Sequence, residues 1–411
     1  MNRQNVDLGS GKVSKLLFSL ALPTITSQIV NMLYNLVDRV YIGHMQPVDT
    51  VGKLALTGVG VCLPIIVVIS AFAALLAMGG APRASIQEGR GNPKEAECIM
   101  GNCFTMLVMA SVVLTVVLQL FARDLLLLFG ASENTIDYAA AYMGIYSLGT
   151  IFVQVTLGMN AYITAQGFTT VSMRTTLIGA GLNIVLDPIF IFGLDMGVRG
   201  AALATILSQA VSAAWVLRFL TGGKTKWRLR KENLWPRASV VLPCLALGLS
   251  PFIMQSTESL IAVCFNSSLL KYGGDLAVGA MTVLTSIMQL AMMPLQGLTQ
   301  GAQPIVSYNY GARNPRRVRE AFRCLLLACV TYSLTMWTLV QLVPQVFAGI
   351  FTPDPELQAY AAWALRIYMA ATGIFGIQIA CQQTFIALGN AKVSLFLAVL
   401  RKIILLIPLI Y

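Results

Sequence analysis

The chain has 411 residues, of which 57% are hydrophobic and only 11% are charged, and its formal net charge is +11. A soluble protein carries about a quarter of charged residues, so this composition excludes an ordinary soluble domain. The apolar residues form blocks of roughly 20 or more, the length that crosses the ~30 Å hydrocarbon core of a bilayer. The sequence therefore predicts an all-α polytopic membrane protein.

In chain order, the apolar blocks predict eleven transmembrane helices. The segments between them are short, except for one basic stretch after the sixth helix. The predicted helices cover residues 15–43, 54–81, 98–121, 137–164, 172–193, 198–220, 239–269, 276–305, 321–345, 357–386 and 393–411.

Lysine and arginine residues are unevenly divided between the two sides of the predicted membrane. Most lie in the N-terminal segment and in alternate loops, above all in 218–238, whereas the opposite loops hold Lys53, Arg123, Arg199 and Lys271. This bias follows the positive-inside rule and predicts a multi-pass protein of the cell membrane with a cytoplasmic N-terminus. Because topology accounts for the positive charge, we expect membrane lipid and not nucleic acid as a partner.

The residues that commonly build metal centres are scarce or scattered. The eight cysteines form no CxxC pair, and His44 is the only histidine. We therefore expect structural thiols, no disulfide framework and no metal centre. The chain also carries no nucleophile or acid–base motif outside the predicted membrane, so we expect neither an enzyme nor an organic cofactor.

A long internal repeat organises the chain. Residues of the first half recur at a constant separation of 222 residues, and the shared Gly-x-x-Asn-Pro pattern argues for duplication over common membrane composition. The matched residues include Gly79, Pro82, Ser85, Gly89, Asn92 and Pro93, which fall on Gly301, Pro304, Ser307, Gly311, Asn314 and Pro315.

The repeat predicts the domain organisation. A first unit over residues 1–222 holds six helices, a basic cytoplasmic linker covers 223–238, and a second unit covers 239–411. Because six is even, both units enter the membrane from the same side, as parallel repeats around an axis along the membrane normal, with a binding site between them. The second unit lacks a partner for the sixth helix, so we expect about 11 of 12 helices, as in a C-terminally truncated chain.

The first predicted helix contains a carboxylate within an apolar block. Asn31, Tyr34 and Asp38 would point to one side of that helix, because their spacing is three and then four residues. An acid inside a membrane is costly unless it faces protein or water, and it marks a functional site by default. We expect Asp38 to line a cavity, and the alternative is a salt bridge with the neighbouring Arg39.

A second carboxylate, Asp187, lies in the segment GLNIVLDPIFIFG. Asn183 precedes it by one helical turn and shares its face, and Pro188 disturbs the backbone hydrogen bonding that follows. The predicted topology places Asp38 and Asp187 in the outer half of the membrane. Two such groups predict a site for H⁺, or for Na⁺, which prefers oxygen ligands.

Glu258 is a third acid within an apolar block, and two interpretations remain open. It could be packed inside the protein and hydrogen-bonded to Gln255 or Ser256. Alternatively, it could bind a proton or a substrate. Asp38 and Asp187 fall on Leu260 and Leu409 at the repeat distance, so we expect ion coupling in the first half.

Several of these segments together resemble the multidrug and toxic compound extrusion (MATE) family, and more its DinF-type branch than its NorM-type branch. They are ALPTITSQIVNMLYNLVDRVYIGH, TAQG at 164–167, LNIVLDPIFIFG and the two Gly-x-x-Asn-Pro loops. The resemblance implies two six-helix bundles and a cation site in the first. That implied site consists of Asp38, Asn183, Asp187 and Thr205, with Asn31, Tyr34 and Asn160 around the pocket, and Glu258 as a further candidate in the second bundle.

From these residues and this resemblance we expect an antiporter that couples H⁺ or Na⁺ entry to the export of amphipathic, often cationic, small molecules. Export would proceed by alternating access, by a protein that acts as a monomer. The alternative is a flippase for lipid-linked oligosaccharides, which shares this architecture and would favour a cationic cavity. Three acids within the predicted spans argue for the antiporter.

Overall fold

A computed structural model describes the backbone of residues 7–351 and 355–406, without the side chains of 48–49, 259–260, 262–276, 278, 351, 402–403 and 406. Within those ranges the chain forms thirteen α-helices and no strands. Short π-helical segments cover Val48–Gly52, Ile189–Gly193 and Leu400–Leu406, and a 3₁₀ turn covers Lys231–Asn233. The helices are α1 Val13–Gly43, α2 Lys53–Gly89, α3 Pro93–Leu128, α4 Ile136–Leu148, α5 Thr150–Ala165, α6 Thr169–Pro188, α7 Val198–Thr221, α8 Ala238–Gly311, α9 Pro315–Leu342, α10 Pro344–Phe351, α11 Pro355–Tyr368, α12 Thr372–Ala387 and α13 Ala391–Val399.

Ten of the predicted spans correspond to membrane-length helices or helix pairs. Eight described segments are long and apolar enough to cross a bilayer alone, and α4–α5 and α11–α12 each form one span with a bend of 58° and 49°, respectively. The two bends lie at equivalent places of the repeat, at Gly149 and Ala371. The eleventh predicted span, 393–411, begins in α13 and runs into residues outside the described part.

Several helices are longer than predicted. α2 continues to Gly89 and α3 begins at Pro93, whereas hydropathy placed the end and start at 81 and 98. Hydropathy detects the part of a helix within hydrocarbon, and the polar turns beyond it remain helical in water. Pro93 is at the first position of α3, where its missing N–H has no helical partner to lose.

α8 is a single helical run of 74 residues that covers two predicted spans. A straight helix of this length would extend about 110 Å. However, Gly248 near its start and Gly311 at its end both pack on the second half of α2. α8 therefore folds back on itself, and the predicted spans are the two arms Ala238–Glu258 and Gly279–Gly311. The turn between the arms is helical and not a loop.

Contacts between the two halves obey the predicted two-fold relationship. Gly89 packs against the carbonyl oxygen of Tyr308, and Gly311 packs against the carbonyl oxygen of Ile86. Each pair becomes the other when its members are shifted by the repeat distance and exchanged. Such reciprocal contacts arise when equivalent units are related by a two-fold axis. The parallel repeat predicted from the sequence is thus confirmed.

The repeat also preserves the conformation of the loop after α2. Gly91 and Arg313 occupy equivalent positions, and both have a positive φ, of 81° and 54°. Glycine adopts this conformation freely, whereas an L-residue with a side chain pays roughly 1–2 kcal/mol. The second half thus keeps the backbone geometry of the turn although it has lost the glycine.

The first helix of each half begins inside the core of the other half. Leu17 and Leu20 of α1 belong to a buried cluster with Ile305 of α8 and residues of α9 and α12. Reciprocally, Val240 and Cys244 of α8 pack in a cluster of first-half residues from α2, α3 and α5. We call the membrane side where this exchange occurs the linker face, because residues 223–238 lie there.

The segment before α1 is tied to the second half on the linker face. The Arg317 guanidinium donates to the carbonyl oxygens of Gly11 at 2.8 Å, Ser10 at 3.0 Å and Leu8 at 3.4 Å, and to Asn309 Oδ1 at 3.1 Å. Asn309 Nδ2 also donates to the Leu8 carbonyl at 2.9 Å. The residues before α1 therefore form a strap across the end of α8.

Candidate cation site in the first half

The carboxyl groups of Asp38 and Asp187 lie within hydrogen-bonding range of each other, where α1 packs against α6. Asp187 is fully buried and Asp38 is half-buried. Asn183 Nδ2 donates to Asp187 Oδ1 at 3.2 Å, so the predicted helical turn between them forms the expected contact. The structure thus brings three of the four predicted cation-site residues together.

Two oxygens of this pair lack a donor. Within the described part of the chain, neither Asp38 Oδ1 nor Asp187 Oδ2 receives a hydrogen bond, although both atoms are buried. Two facing carboxylates repel each other, and burial removes the water that would screen them. A proton shared between them, or a cation held by their oxygens, relieves this repulsion. The geometry of the pair therefore suits H⁺ or Na⁺.

Thr205, the fourth predicted cation-site residue, reaches the pocket from α7. Its hydroxyl donates to the Ala201 carbonyl at 2.9 Å, which leaves the oxygen lone pairs to accept. The Tyr142 hydroxyl lies within hydrogen-bonding range of Thr205, and Tyr142 is close enough to Asp38 to feel its charge. The fourth residue therefore joins the same pocket through Tyr142.

Tyrosines form one wall of the pocket, and two of them escaped the sequence analysis. Tyr34 lies near Asp38 as expected. Tyr142 and Tyr146 of α4 stack with ring centroids 5.9 Å apart, and Tyr146 lies near Tyr34. Their spacing of four residues on one helical face was the available signal. Each tyrosine has an apolar ring and a hydroxyl, so the wall can contact both ions and amphipathic molecules.

The segment around Pro188 fixes the end of α6 beside α1. α6 ends at Pro188 and continues as a π-helical turn to Gly193. Proline cannot donate a backbone hydrogen bond, which agrees with the loss of regular α-helix there. The Phe192 ring after this turn packs edge-on against Tyr41, with centroids 6.4 Å apart. This aromatic contact holds the end of α1, and with it Asp38, against α6.

The alternative of a salt bridge between Asp38 and Arg39 is not supported. The ion pairs found among the described residues join Arg123 to Asp137, Lys226 to Glu88 and Arg230 to Glu97. Arg39 is exposed and influences Asp38 through space only. Asp38 is therefore oriented towards Asp187 and not towards its neighbour in the chain.

Asn160 lies away from the carboxylates. Asn160 Nδ2 donates to the Ser172 carbonyl at 3.4 Å, at the start of α6, whereas Asp187 is near its end, about 22 Å along the axis. The same contact recurs in the second half, where Gln382 Nε2 donates to the Ser394 carbonyl at 3.2 Å. A contact that both repeats keep serves helix packing, so Asn160 is better explained as a tie between α5 and α6.

The other two predicted pocket residues have different positions. Asn31 is half-buried on α1, about 10 Å along the helix axis from Asp38. Glu258 belongs to the second half, where its charge acts on Tyr368 of α11 and on Arg401. Arg401 Nη1 also donates to Gln378 Oε1. Glu258 is thus part of a separate polar cluster in the second half.

The cation site lies beyond the region where the halves meet. On α1, the Thr24 hydroxyl donates to the Gly297 carbonyl at 2.7 Å, and Ile25 packs on the same glycine. Between α2 and α8, Phe72 packs edge-on against Phe252 with centroids 5.0 Å apart. Asp38 is about 20 Å further along α1 than Ile25, away from the linker face. The site is therefore nearer to the opposite membrane face.

This pocket belongs to a chain whose repeats both match one family model. The model is described as MatE, and it matches residues 23–189 and 251–411, one segment from each half. The chain belongs to the MatE family. Its membership confirms the resemblance to MATE transporters drawn from the sequence, and it agrees with the all-helical, two-bundle fold.

Known MATE proteins resemble the chain over nearly its whole length. A solved structure of the MATE multidrug transporter DinF-BH in complex with a small molecule is 35% identical, covers 100% of this chain and 91% of its own, and superposes with a TM-score of 0.91. The multidrug export protein MepA of Staphylococcus haemolyticus (strain JCSC1435) is 22% identical over 400 residues, 97% of this chain and 86% of MepA. A crystal structure of MATE in complex with MaL6, at 24% identity, covers 98% of this chain and 89% of its own and shares the fold with a TM-score of 0.90.

Proposed function

We propose that the protein is an antiporter in which H⁺ or Na⁺ binding at Asp38 and Asp187 drives export of amphipathic, often cationic, small molecules. The observation that carries this proposal is the pair of facing carboxylates without donors on Asp38 Oδ1 and Asp187 Oδ2. Asn183 and Thr205 add neutral oxygens to the same pocket. With a total of two negative charges and several oxygens, the pocket suits one monovalent cation or one or two protons.

α1 provides a physical route from ion binding to a change of access. Its first turns are packed in the core of the second half, and its last turns carry Asp38 against α6 of the first half. Pro23 lies within the helix, between these two parts, and removes one backbone hydrogen bond there. A change in how Asp38 sits against Asp187 therefore alters the angle between the halves.

Ion and substrate are coupled in this account through their different affinities for two arrangements of the halves. The described arrangement is closed at the linker face, and an alternative one would open that face and close the other. An ion that binds one arrangement more tightly shifts the equilibrium by that difference in affinity. Entry of the ion can then be exchanged for exit of a substrate that prefers the other arrangement.

The relatives support the proposed substrate class. MepA is named as a multidrug export protein, and DinF-BH is a multidrug transporter whose structure was solved with a small molecule bound. The tyrosine wall formed by Tyr34, Tyr142 and Tyr146 can pack against flat apolar molecules and attract their positive charge. We propose that the protein acts as a monomer, without an organic cofactor or enzymatic activity, in the cell membrane with its N-terminus and linker in the cytoplasm.

A drug-efflux assay tests the proposed substrate class. The full chain is expressed in a bacterial strain that lacks its own multidrug pumps, and loss of ethidium from preloaded cells is followed by fluorescence. We expect faster efflux than with empty vector, and loss of this gain in Asp38→Asn. The matched control is Asp137→Asn, since the Asp137 side chain is 78% exposed in an ion pair away from the pocket. Efflux that is equal in cells with and without the protein would overturn the proposal for this substrate class.

A further inference from the structure

A cavity of about 310 Å³ opens on the linker face, at the end of α7. It is separate from the carboxylate pocket, which lies nearer to the opposite membrane face. The cavity is lined by Trp215, Arg218, Phe219, Gly222, Gly223 and Lys224. It thus combines an aromatic wall from the last turns of α7 with a basic rim where the helix becomes the linker.

The chain around this cavity is held in place by specific contacts. The Phe219 ring packs edge-on against Phe168 of the first-half core, with centroids 5.3 Å apart. After the two glycines the chain turns back, and the Leu229 N–H donates to the Leu220 carbonyl at 2.9 Å. The turn therefore has a defined shape and is not a loose connection.

One buried side chain fixes the linker just beyond the cavity. Gln166 Oε1 accepts hydrogen bonds from the Thr225 hydroxyl at 2.8 Å and from the backbone N–H groups of Lys226 at 2.8 Å and Trp227 at 3.0 Å. Trp227 is completely buried in the first-half core. The cavity therefore lies on the rigid body of the first half.

Three cations surround the mouth of the cavity. Arg218 and Lys224 line it, and the turn brings the Arg228 guanidinium beside Gly223. All three side chains are exposed. Their neighbours Lys226 and Arg230 form ion pairs with Glu88 and Glu97, whereas the ion pairs within the described residues do not include these three. Their charge is thus available to a ligand.

We propose that this cavity binds the phosphate headgroup of an anionic phospholipid, with the three cations on the phosphate and Trp215 and Phe219 against the glycerol and upper acyl chains. The end of a membrane-spanning helix lies at the depth of the lipid headgroups, where tryptophan is enriched. Guanidinium and ammonium groups bind phosphate by charge-assisted hydrogen bonds. An apolar wall beside a basic rim suits a lipid better than a free anion.

The bound lipid would hold the first half in the leaflet on the linker face. Because Gln166 and Trp227 join the linker to that half, the lipid would fix α7 and the start of the linker as one unit. The second half would then move relative to an anchored first half. Lipid binding itself does not depend on the proposed transport function, so either can fail without the other.

Native mass spectrometry of the detergent-purified full chain measures this binding directly. Phosphatidylglycerol, phosphatidylcholine and inorganic phosphate are added separately, and the fraction of protein with each adduct is recorded. The test variant carries Arg218→Gln, Lys224→Gln and Arg228→Gln. The control carries Arg316→Gln, Arg319→Gln and Arg323→Gln, which removes the same charge from exposed positions of α9. Gel filtration and a melting curve show whether both variants remain folded.

We expect phosphatidylglycerol adducts on the parent and on the α9 control, and a decrease of about tenfold or more in the cavity variant. Trp215→Ala should weaken the lipid adduct while all three cations remain. Equal decreases in both triple variants would mean diffuse surface attraction and would overturn the proposal. Phosphatidylcholine that binds as well as phosphatidylglycerol, or inorganic phosphate that competes fully at equal concentration, would also overturn it. If the cavity variant fails to fold, the single change Lys224→Gln and Trp215→Ala provide the same comparison.

Discussion

Gly89 and Gly311 occupy equivalent places in the two halves, and each packs against the carbonyl oxygen of the residue three positions before the other. A Cβ atom at either position would overlap that carbonyl oxygen. Both contacts lie on the linker face, next to the strap that Arg317 holds. These two glycines therefore allow the halves to close tightly on this side of the membrane.

A side chain at either glycine should open the linker face. We expect Gly311→Leu to make the thiol of Cys244, which is completely buried where the halves meet, react faster with a maleimide in a background whose other cysteines are serine. Overpacking of this kind costs typically 1–3 kcal/mol, so the melting temperature should fall as well. Gly60→Leu is the control, because a Cβ atom at Gly60 would have no neighbouring atom within 4 Å. Equal maleimide rates in the two variants would contradict the assigned packing.

The repeated hydrogen bonds of Asn160 and Gln382 predict a shared structural role. Asn160→Leu and Gln382→Leu should each lower the thermal stability by about 0.6–1.7 kcal/mol, the range for hydrogen bonds within membrane proteins. Neither change should alter which ion supports transport. Asn183→Leu should instead change the ion dependence, because Asn183 contacts Asp187 directly. A changed ion preference in Asn160→Leu would place Asn160 in the cation site after all.

The strap before α1 should be released by loss of Arg317. Arg317→Ala removes the donor to three carbonyl groups of residues 8–11, and we expect faster trypsin cleavage after Lys12, which is exposed at the start of α1. Arg319→Ala is the matched control, since Arg319 is an exposed residue one half-turn further along α9. Identical cleavage rates in the two variants would show that the strap is held by other contacts.

The repeat and the carboxylate pair could be predicted from the sequence because each leaves a local signal. A constant separation links Gly89 to Gly311, and an acid within an apolar block is conspicuous at both Asp38 and Asp187. The turn between Asn183 and Asp187 is also local, since helical geometry alone places their side chains together. Such signals need no knowledge of how the helices pack.

Other features depend on contacts between distant segments and left no comparable signal. Leu17 and Leu20 look like any apolar residues of α1, and nothing in their neighbourhood shows that they pack in the core of the second half. Asn160 is polar and lies within a membrane span, like a site residue, but its partner is the Ser172 carbonyl. The continuous helical turn of α8 was missed because the polar residues between its arms resemble a loop.

The central claim is that Asp38 and Asp187 form the ion-coupling site, and transport in liposomes tests it most directly. The purified full chain is reconstituted, a Na⁺ gradient or a pH gradient is imposed separately, and the movement of a fluorescent cationic dye is followed. We predict dye movement that follows one of the two gradients and is abolished in Asp187→Asn, with Asp137→Asn unchanged. Dye movement that persists in Asp187→Asn with the same ion dependence would contradict the claim. No dye movement with either gradient would contradict coupled antiport and would favour a lipid-linked oligosaccharide as the substrate.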